Sequence, residues 1–138
     1  MKFNLISTVL VVFSFWESSA ETLVVEAIKK WNAASTIYAA GKRISISTAE
    51  GAKWGDVNGT IEVSANGYPN AVGITLRYEA ANIMEMICCM NSDIDLCTNI
   101  GKQGTLIAPV TGFVSCFAND SDKTYGNNVG SIEAEINA

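Results

Sequence analysis

Ser131-Ile132-Glu133-Ala134-Glu135-Ile136 alternates apolar and polar residues without a break. Period two puts Ile132, Ala134 and Ile136 on one face and both Glu on the other. That pattern predicts a strand with one face on a core and one in water. Arg43–Thr48 (RISIST) and Thr60–Val63 (TIEV) repeat it. Ile83–Met90 (IMEMICCM) is apolar apart from one Glu and predicts a strand buried on both faces, with Met84, Met86 and Met90 filling core gaps. Phe113–Ala118 (FVSCFA) is a further strand. Thr22–Ala34 carries a helical spacing of Leu23, Val24, Ala27, Ile28 and Trp31 but opens with β-prone Thr-Leu-Val-Val. In a chain otherwise patterned for strands it reads as one too. Ala40-Gly41, Asn58-Gly59, Asn66-Gly67, Gly101, Gly104, Thr111-Gly112 and Tyr125-Gly126 mark turns between them. Short strands so punctuated predict an all-β chain, a single-domain, jelly-roll-like β-sandwich of two packed sheets.

Residues 1–20 read as a signal peptide: Met1-Lys2, an apolar run over Leu5–Trp16, then Ser18-Ser19-Ala20. The run is too short to span a bilayer, which takes about 20 apolar residues. The domain is therefore expected over 21–138, secreted and without a membrane span. Four cysteines, Cys88, Cys89, Cys97 and Cys116, suit that address and predict two disulfides. Adjacent strand residues point to opposite faces, so Cys88 and Cys89 are expected to bond Cys97 and Cys116 in one order or the other. The formal net charge is −5 with no basic run, which argues against nucleic acid. The chain has no His, which removes His-based triads, His-ligated zinc and His pH switches. Glu133 and Glu135 lie on the solvent face of a strand rather than flanking one bond as glycosidase carboxylates must. No phosphate-binding Gly loop or hydrolase elbow occurs, and no enzyme is expected.

The chemistry-bearing segment is Asn119–Asn128 (NDSDKTYGNN). It lies between two strands and is rich in hard oxygen donors. Calcium takes roughly 6–8 such oxygens. Asp120 supplies charge and Asn127-Asn128 two amide oxygens, with Gly126 permitting a tight turn. The same residue types also build ordinary turns. The acidic loop Asn91–Asp95 lacks the length and terminal Glu of a helix-loop-helix calcium site and reads as a solvated loop. Asn58-Gly59-Thr60 and Asn119-Asp120-Ser121 are glycosylation sequons.

Asp120–Ser131 (DSDKTYGNNVGS) resembles the C-terminal calcium loop of the PA-IL-type, galactophilic lectins, and TYGNN-x-GS is its specific part. Ala108–Phe113 resembles the segment before that loop, Ser35–Gly41 the family's first calcium-side loop, and Lys53-Trp54-Gly55 its next loop. The match is good over the last quarter, fair over 31–55 and weak between. The resemblance implies a galactose-binding-domain-like sandwich. It implies Ca2+ held by the side chains of Asp120, Asn127 and Asn128 and the main-chain carbonyls of Tyr38 and Thr124. Two adjacent hydroxyls of galactose would finish the shell, with Tyr38, Asp120, Thr124 and Asn127 around the sugar. The family's His-Pro-x-Gln stretch is replaced by Tyr68-Pro69-Asn70-Ala71, so Tyr68 stands where a sugar-contacting His would be and Ala71 cannot replace the Gln. A glycan on Asn119 would crowd the metal, so that sequon is expected to be unused. The family often forms tetramers, and multivalency would strengthen a shallow metal–sugar site. Trp31, Trp54 and Tyr125 are candidates for sugar stacking and equally for the sandwich core; of these Trp31 reads as core and Trp54 as a loop residue suited to a wet boundary. The reading is a secreted lectin for galactose-type glycans. The alternative is a disulfide-stabilised sandwich that keeps calcium structurally and binds a protein partner.

Overall fold

The structure is a computed structural model and describes residues 20–138. The predicted signal segment lies outside the described residues except for Ala20, which is the first residue of strand β1. Among the described residues no helix is long and apolar enough to cross a membrane.

Among the described residues eleven strands follow in order: β1 (Ala20–Glu26), β2 (Asn32–Ala33), β3 (Arg43–Thr48), β4 (Trp54–Asp56), β5 (Ile61–Val63), β6 (Asn66–Tyr68), β7 (Ile83–Met90), β8 (Cys97–Asn99), β9 (Gln103–Ile107), β10 (Val114–Ala118) and β11 (Ser131–Asn137). One sheet runs β1-β11-β3-β9. The facing sheet runs β2-β10-β7, and the far edge of β7 pairs β6 along its first half and β8 along its second. β4 and β5 form a separate hairpin. All pairings are antiparallel.

Alternation does what it predicts. Leu23 and Val25 of β1, Ile44 and Ile46 of β3, Leu106 of β9, and Ile132, Ala134 and Ile136 of β11 face inward. Val24, Glu133 and Glu135 face water, and Thr22 donates to Glu135 across the strands. From the other sheet come Met86, Cys88 and Met90 of β7 and Val114, Cys116 and Ala118 of β10. β7 is buried on both sides. Its outward Ile87 and Cys89 join Phe117 and Tyr125 in a second, smaller cluster, covered by Trp31 and Tyr78. Trp31, expected in the core, is half-buried on this outer side. Its ring meets Phe117 edge-on at 5.2 Å.

The two-sided burial of β7 resolves the disulfides. Cys88 faces inward and bonds Cys116, its direct partner on β10. Cys89 faces outward and bonds Cys97, its direct partner on β8. The strand is bent at its start. Met84 has φ +62, and its N–H donates to Asn119 O at 2.6 Å. Gly67 of β6 lies against this bend, where a Cβ would collide with the backbone of Ile83 and Glu85. Asn66-Gly67 and Gly104, expected as turns, are thus strand residues of β6 and β9.

Glu21 ties β1 to the following loop. Its carboxylate accepts from the N–H and hydroxyl of both Ser35 and Thr36, at 2.8–3.1 Å. Burial opposes ionisation, but these bonds outweigh it and hold the pKa below the ordinary Glu value. The folded state therefore favours the charged form. The resulting stability is present above the unfolded pKa near 4.5 and is lost as pH falls through the folded value. Glu21→Gln should lower the urea midpoint at pH 7, and the gap to the parent should close as pH drops below that range. For the disulfides, the sequence separations are 28 and 8. Loop-closure entropy gives about 3.6 and about 2.5 kcal/mol respectively. In urea titrations the Cys88→Ala/Cys116→Ala pair should lose more stability than Cys89→Ala/Cys97→Ala.

Candidate functional site

The loop from Asn119 to Gly130 leaves β10 and returns into β11. Its first residue is a buried brace. Asn119 accepts from Tyr78 N–H at 3.0 Å and donates Nδ2 to the carbonyls of Tyr78 and Asn82, at 2.8 and 3.0 Å. An amide so placed leaves no room for a glycan. Asn58 of the other sequon is exposed.

Asp120 is 3% exposed. Its Oδ1 accepts from Ser121 N–H at 2.7 Å and from the Thr124 hydroxyl at 2.8 Å. Its Oδ2 is buried and takes no hydrogen bond. Tyr125–Asn127 form one 3-10 turn, and Asn128, 1% exposed, follows in extended backbone. Asn128 donates Nδ2 to Ala27 O at 3.1 Å, which fixes the orientation of its amide. Its Oδ1 is then directed away from that partner, buried and unpaired. Asn127 Oδ1 is in the same condition. Among the described residues five buried side-chain oxygens lack a partner, and three of them belong to these nine residues. The other two are the hydroxyls of Tyr38 and Ser115, which can rotate or donate. A carboxylate oxygen and two amide oxygens can only accept. Each costs roughly 1–3 kcal/mol while unsatisfied.

One carboxylate and two neutral amides form an oxygen donor set suited to a hard cation such as calcium. Among the described residues no three His, Cys, Asp or Glu side chains come together to hold a metal. Thr124, exposed, directs its carbonyl to Asn127 N–H at 3.2 Å, which leaves that oxygen one lone pair.

Tyr38 is not brought to this cluster. Its N–H and carbonyl both pair with Gly112, at 2.8 and 3.0 Å, just before β10 begins. Asp120 lies just after β10 ends, and five strand residues at about 3.3 Å each separate the two. The segment that flanks the loop is β4. Gly55 and Val129 exchange both backbone hydrogen bonds at 2.9 Å. A Cβ on Gly55 would stand 2.8 Å from Val129 Cγ2, so this approach requires glycine. Trp54, expected at a wet boundary, is 2% exposed, and its Nε1 donates to Met84 O at 2.9 Å. It is a core residue. Tyr125 is also buried, not a stacking surface. Its hydroxyl donates to Ala118 O at 2.5 Å and accepts from Arg77 at 3.1 Å. Burial pushes its pKa up to about 12, against the opposing pull of Arg77.

Asp56, next to Gly55, is buried and was not singled out by the sequence. Its Oδ1 accepts from Val57 N–H at 2.8 Å and its Oδ2 from the Tyr68 hydroxyl at 2.5 Å. Burial raises the Tyr68 pKa well above the ordinary tyrosine value, and the bond and charge of Asp56 and the charge of Asp120 raise it further. Tyr68 is therefore a neutral phenol beside the loop, with its proton committed to Asp56. Asn70 closes a separate turn with Ile74.

No family model and no curated protein matches the chain. Its fold is similar to that of a solved structure described as "EclA N-terminal domain; PllA-like lectin". The superposition has a TM-score of 0.60 at 16% identity and covers 85% of this chain and 92% of that one. The likeness is one of fold, an all-β sandwich.

Asn119→Ala would strand the Tyr78 N–H and two carbonyls, so it should cost at least ~2 kcal/mol in urea denaturation. In a glycosylating host, mass spectrometry should find Asn119 bare.

Proposed function

We propose that this chain is a secreted, calcium-dependent lectin for galactose or a related sugar, akin to the PA-IL-type family. The observation that carries the proposal is the set of three unpartnered buried oxygens on Asp120, Asn127 and Asn128. A single dication bound among them would satisfy all three, and the fold is similar to that of a solved domain described as a lectin, which supports carbohydrate binding. The two disulfides accord with an oxidising, extracytoplasmic address.

The protein side chains divide the work. Asp120, Asn127 and Asn128 would hold the ion, with the Thr124 carbonyl the nearest main-chain oxygen of the same loop. Calcium, when bound, supplies open positions for two neighbouring hydroxyls and polarises them. Asp120 keeps Oδ1 on Thr124 and Ser121, which fixes the carboxylate plane. Tyr68 has spent its proton on Asp56, so toward a ligand its oxygen can only accept. A sugar hydroxyl reaching Tyr68 must be the donor. A His in that position could offer an N–H, so the preferred hydroxyl arrangement should differ from that of family members that carry the His.

Calcium binds the folded chain alone and should raise its melting temperature. A hundredfold excess over Kd gives about 2.7 kcal/mol, which is several degrees for a domain of this size. Asp120→Ala should abolish the rise. Galactose titrated calorimetrically should give saturable heat with calcium and none with chelator. A melting temperature indifferent to calcium would overturn the metal site. A calcium effect with no binding on a glycan array would leave the site structural and the partner a protein.

A further inference from the structure

A cleft of about 690 Å3 opens on the outer side of the second sheet, away from the Asp56–Tyr68 flank of the metal loop. Ligand sites run roughly 300–1,000 Å3. Trp31 and Arg77 line it, Lys30 and Asp122 border one side, and residues 91–94 form the other.

The floor is a stacked unit. The Arg77 side chain is only 8% exposed. Its guanidinium lies 3.9 Å from the Phe117 ring centre, 4.8 Å from Trp31 and 5.4 Å from Tyr125. It also donates to Lys30 O at 2.7 Å. The opposite wall is equally fixed. Asn91 and Ser92 hold left-handed backbone at φ +57 and +52. Asn91 accepts from Phe113 N–H at 3.1 Å and donates to Thr111 O at 3.3 Å. The Cys89–Cys97 disulfide closes the loop behind them. A preformed wall and floor lower the ordering cost of binding.

The chemistry of the lining selects the ligand class. Lys30 and Arg77 both lie within ion-pair distance of Asp122, at 3.4 and 3.5 Å, and Asp93 adds a second carboxylate. Two cations and two anions leave no net charge for an ionic ligand to answer. Asp93 spends one oxygen on Asp95 N–H at 2.9 Å and keeps the other. Ser92 offers a hydroxyl, and the half-buried indole of Trp31 offers an apolar surface with an N–H. An aromatic plate ringed by both donors and acceptors suits a neutral polyhydroxyl ring, whose C–H surface packs on the plate while its hydroxyls donate and accept.

We infer that this cleft is a second saccharide site, for a neutral sugar and independent of any metal, formed by Trp31, Arg77, Ser92 and Asp93. It does not rest on the calcium reading.

The test follows the Trp31 indole N–H resonance, assigned with Trp31→Phe, in the presence of chelator. The probes are lactose, maltose and N,N′-diacetylchitobiose, with glucuronic acid as the anionic control. The expected result is a saturable shift with at least one neutral disaccharide in the millimolar range. Trp31→Ala, followed through the Ser92 backbone amide because the indole signal is gone, should weaken that binding at least tenfold. Ile94→Arg, an exposed change that fills the cleft without touching the core, should do the same, while Glu133→Gln, on the solvent face of the opposite sheet, leaves it unchanged. No saturable shift with any neutral probe, a response to glucuronic acid alone, or affinity unmoved by Ile94→Arg would each overturn the inference.

Discussion

Burial of β7 on both faces is the constraint on which the rest of the molecule depends. A strand with one wet face needs one core. β7 needs two, so the chain places a sheet against its inner side and the cluster of Phe117, Tyr125, Trp31 and Tyr78 against its outer side. The vicinal cysteines follow from the same demand. Residues 88 and 89 point to opposite faces and are each cross-linked to the strand directly beside them. β7 is thereby bonded covalently to β10 on one edge and β8 on the other. The end of β10 that this fixes is the point from which the oxygen-rich loop departs.

That loop is held from behind. Asn119 locks it to Tyr78 and Asn82, Arg77 N–H donates to the Asp120 carbonyl at 3.0 Å, and the Tyr125 hydroxyl reaches back to Ala118. Gly55 and Val129 clamp its far side. A loose loop with three unpaired acceptors would turn them out to water. This one is braced at both ends, so the oxygens of Asp120, Asn127 and Asn128 stay buried and carry an energetic penalty that a bound cation would remove. The penalty is what makes the arrangement informative, because turn residues that only build a turn satisfy themselves locally.

The long strands were legible in the sequence because period two reports burial directly. β11 and β3 show it residue by residue, β1 was read as a strand from the pattern of the rest of the chain rather than from its own period, and the apolar run of β7, broken only by Glu85, marked its double burial. The short strands were not. β4, β6 and β8 have three residues each, too few to display a period. β6 and β9 contain a glycine, and Gly67 is there for contact with the bend at Met84 rather than for a turn. Trp54 misled for the same reason. Between Lys53 and Gly55 it looked like loop, while its burial comes from a distant bond to Met84. Within the candidate site, the unpaired buried oxygens of Asp120, Asn127 and Asn128 all fall in one contiguous stretch that the sequence had marked as rich in oxygen donors. Asp56 and Arg77 carry no local signal, since what matters about them is created by the approach of β4 and by the stacking over Phe117. Tyr38 failed in the converse way, as a local likeness placed by the sheet at the opposite end of β10.

The proposed donor set has a consequence for selectivity. It contains one formal charge, on Asp120, beside two neutral amides. A dication held there would retain positive charge, and hydroxyls are better ligands than bulk water only if neighbouring acceptors take up their polarised protons. Asp120 Oδ1 is already shared between Ser121 and Thr124. Asp56 is shielded from the ligand because its Oδ2 is occupied by Tyr68. The Tyr68 oxygen thus relays the Asp56 charge. A phenol hydrogen-bonded to a carboxylate is a stronger acceptor than a free phenol, since the bond pushes electron density onto its oxygen. Selectivity would then turn on whether a hydroxyl outside the coordinated pair can point its proton at Tyr68, a question of sugar stereochemistry decided by one buried aspartate.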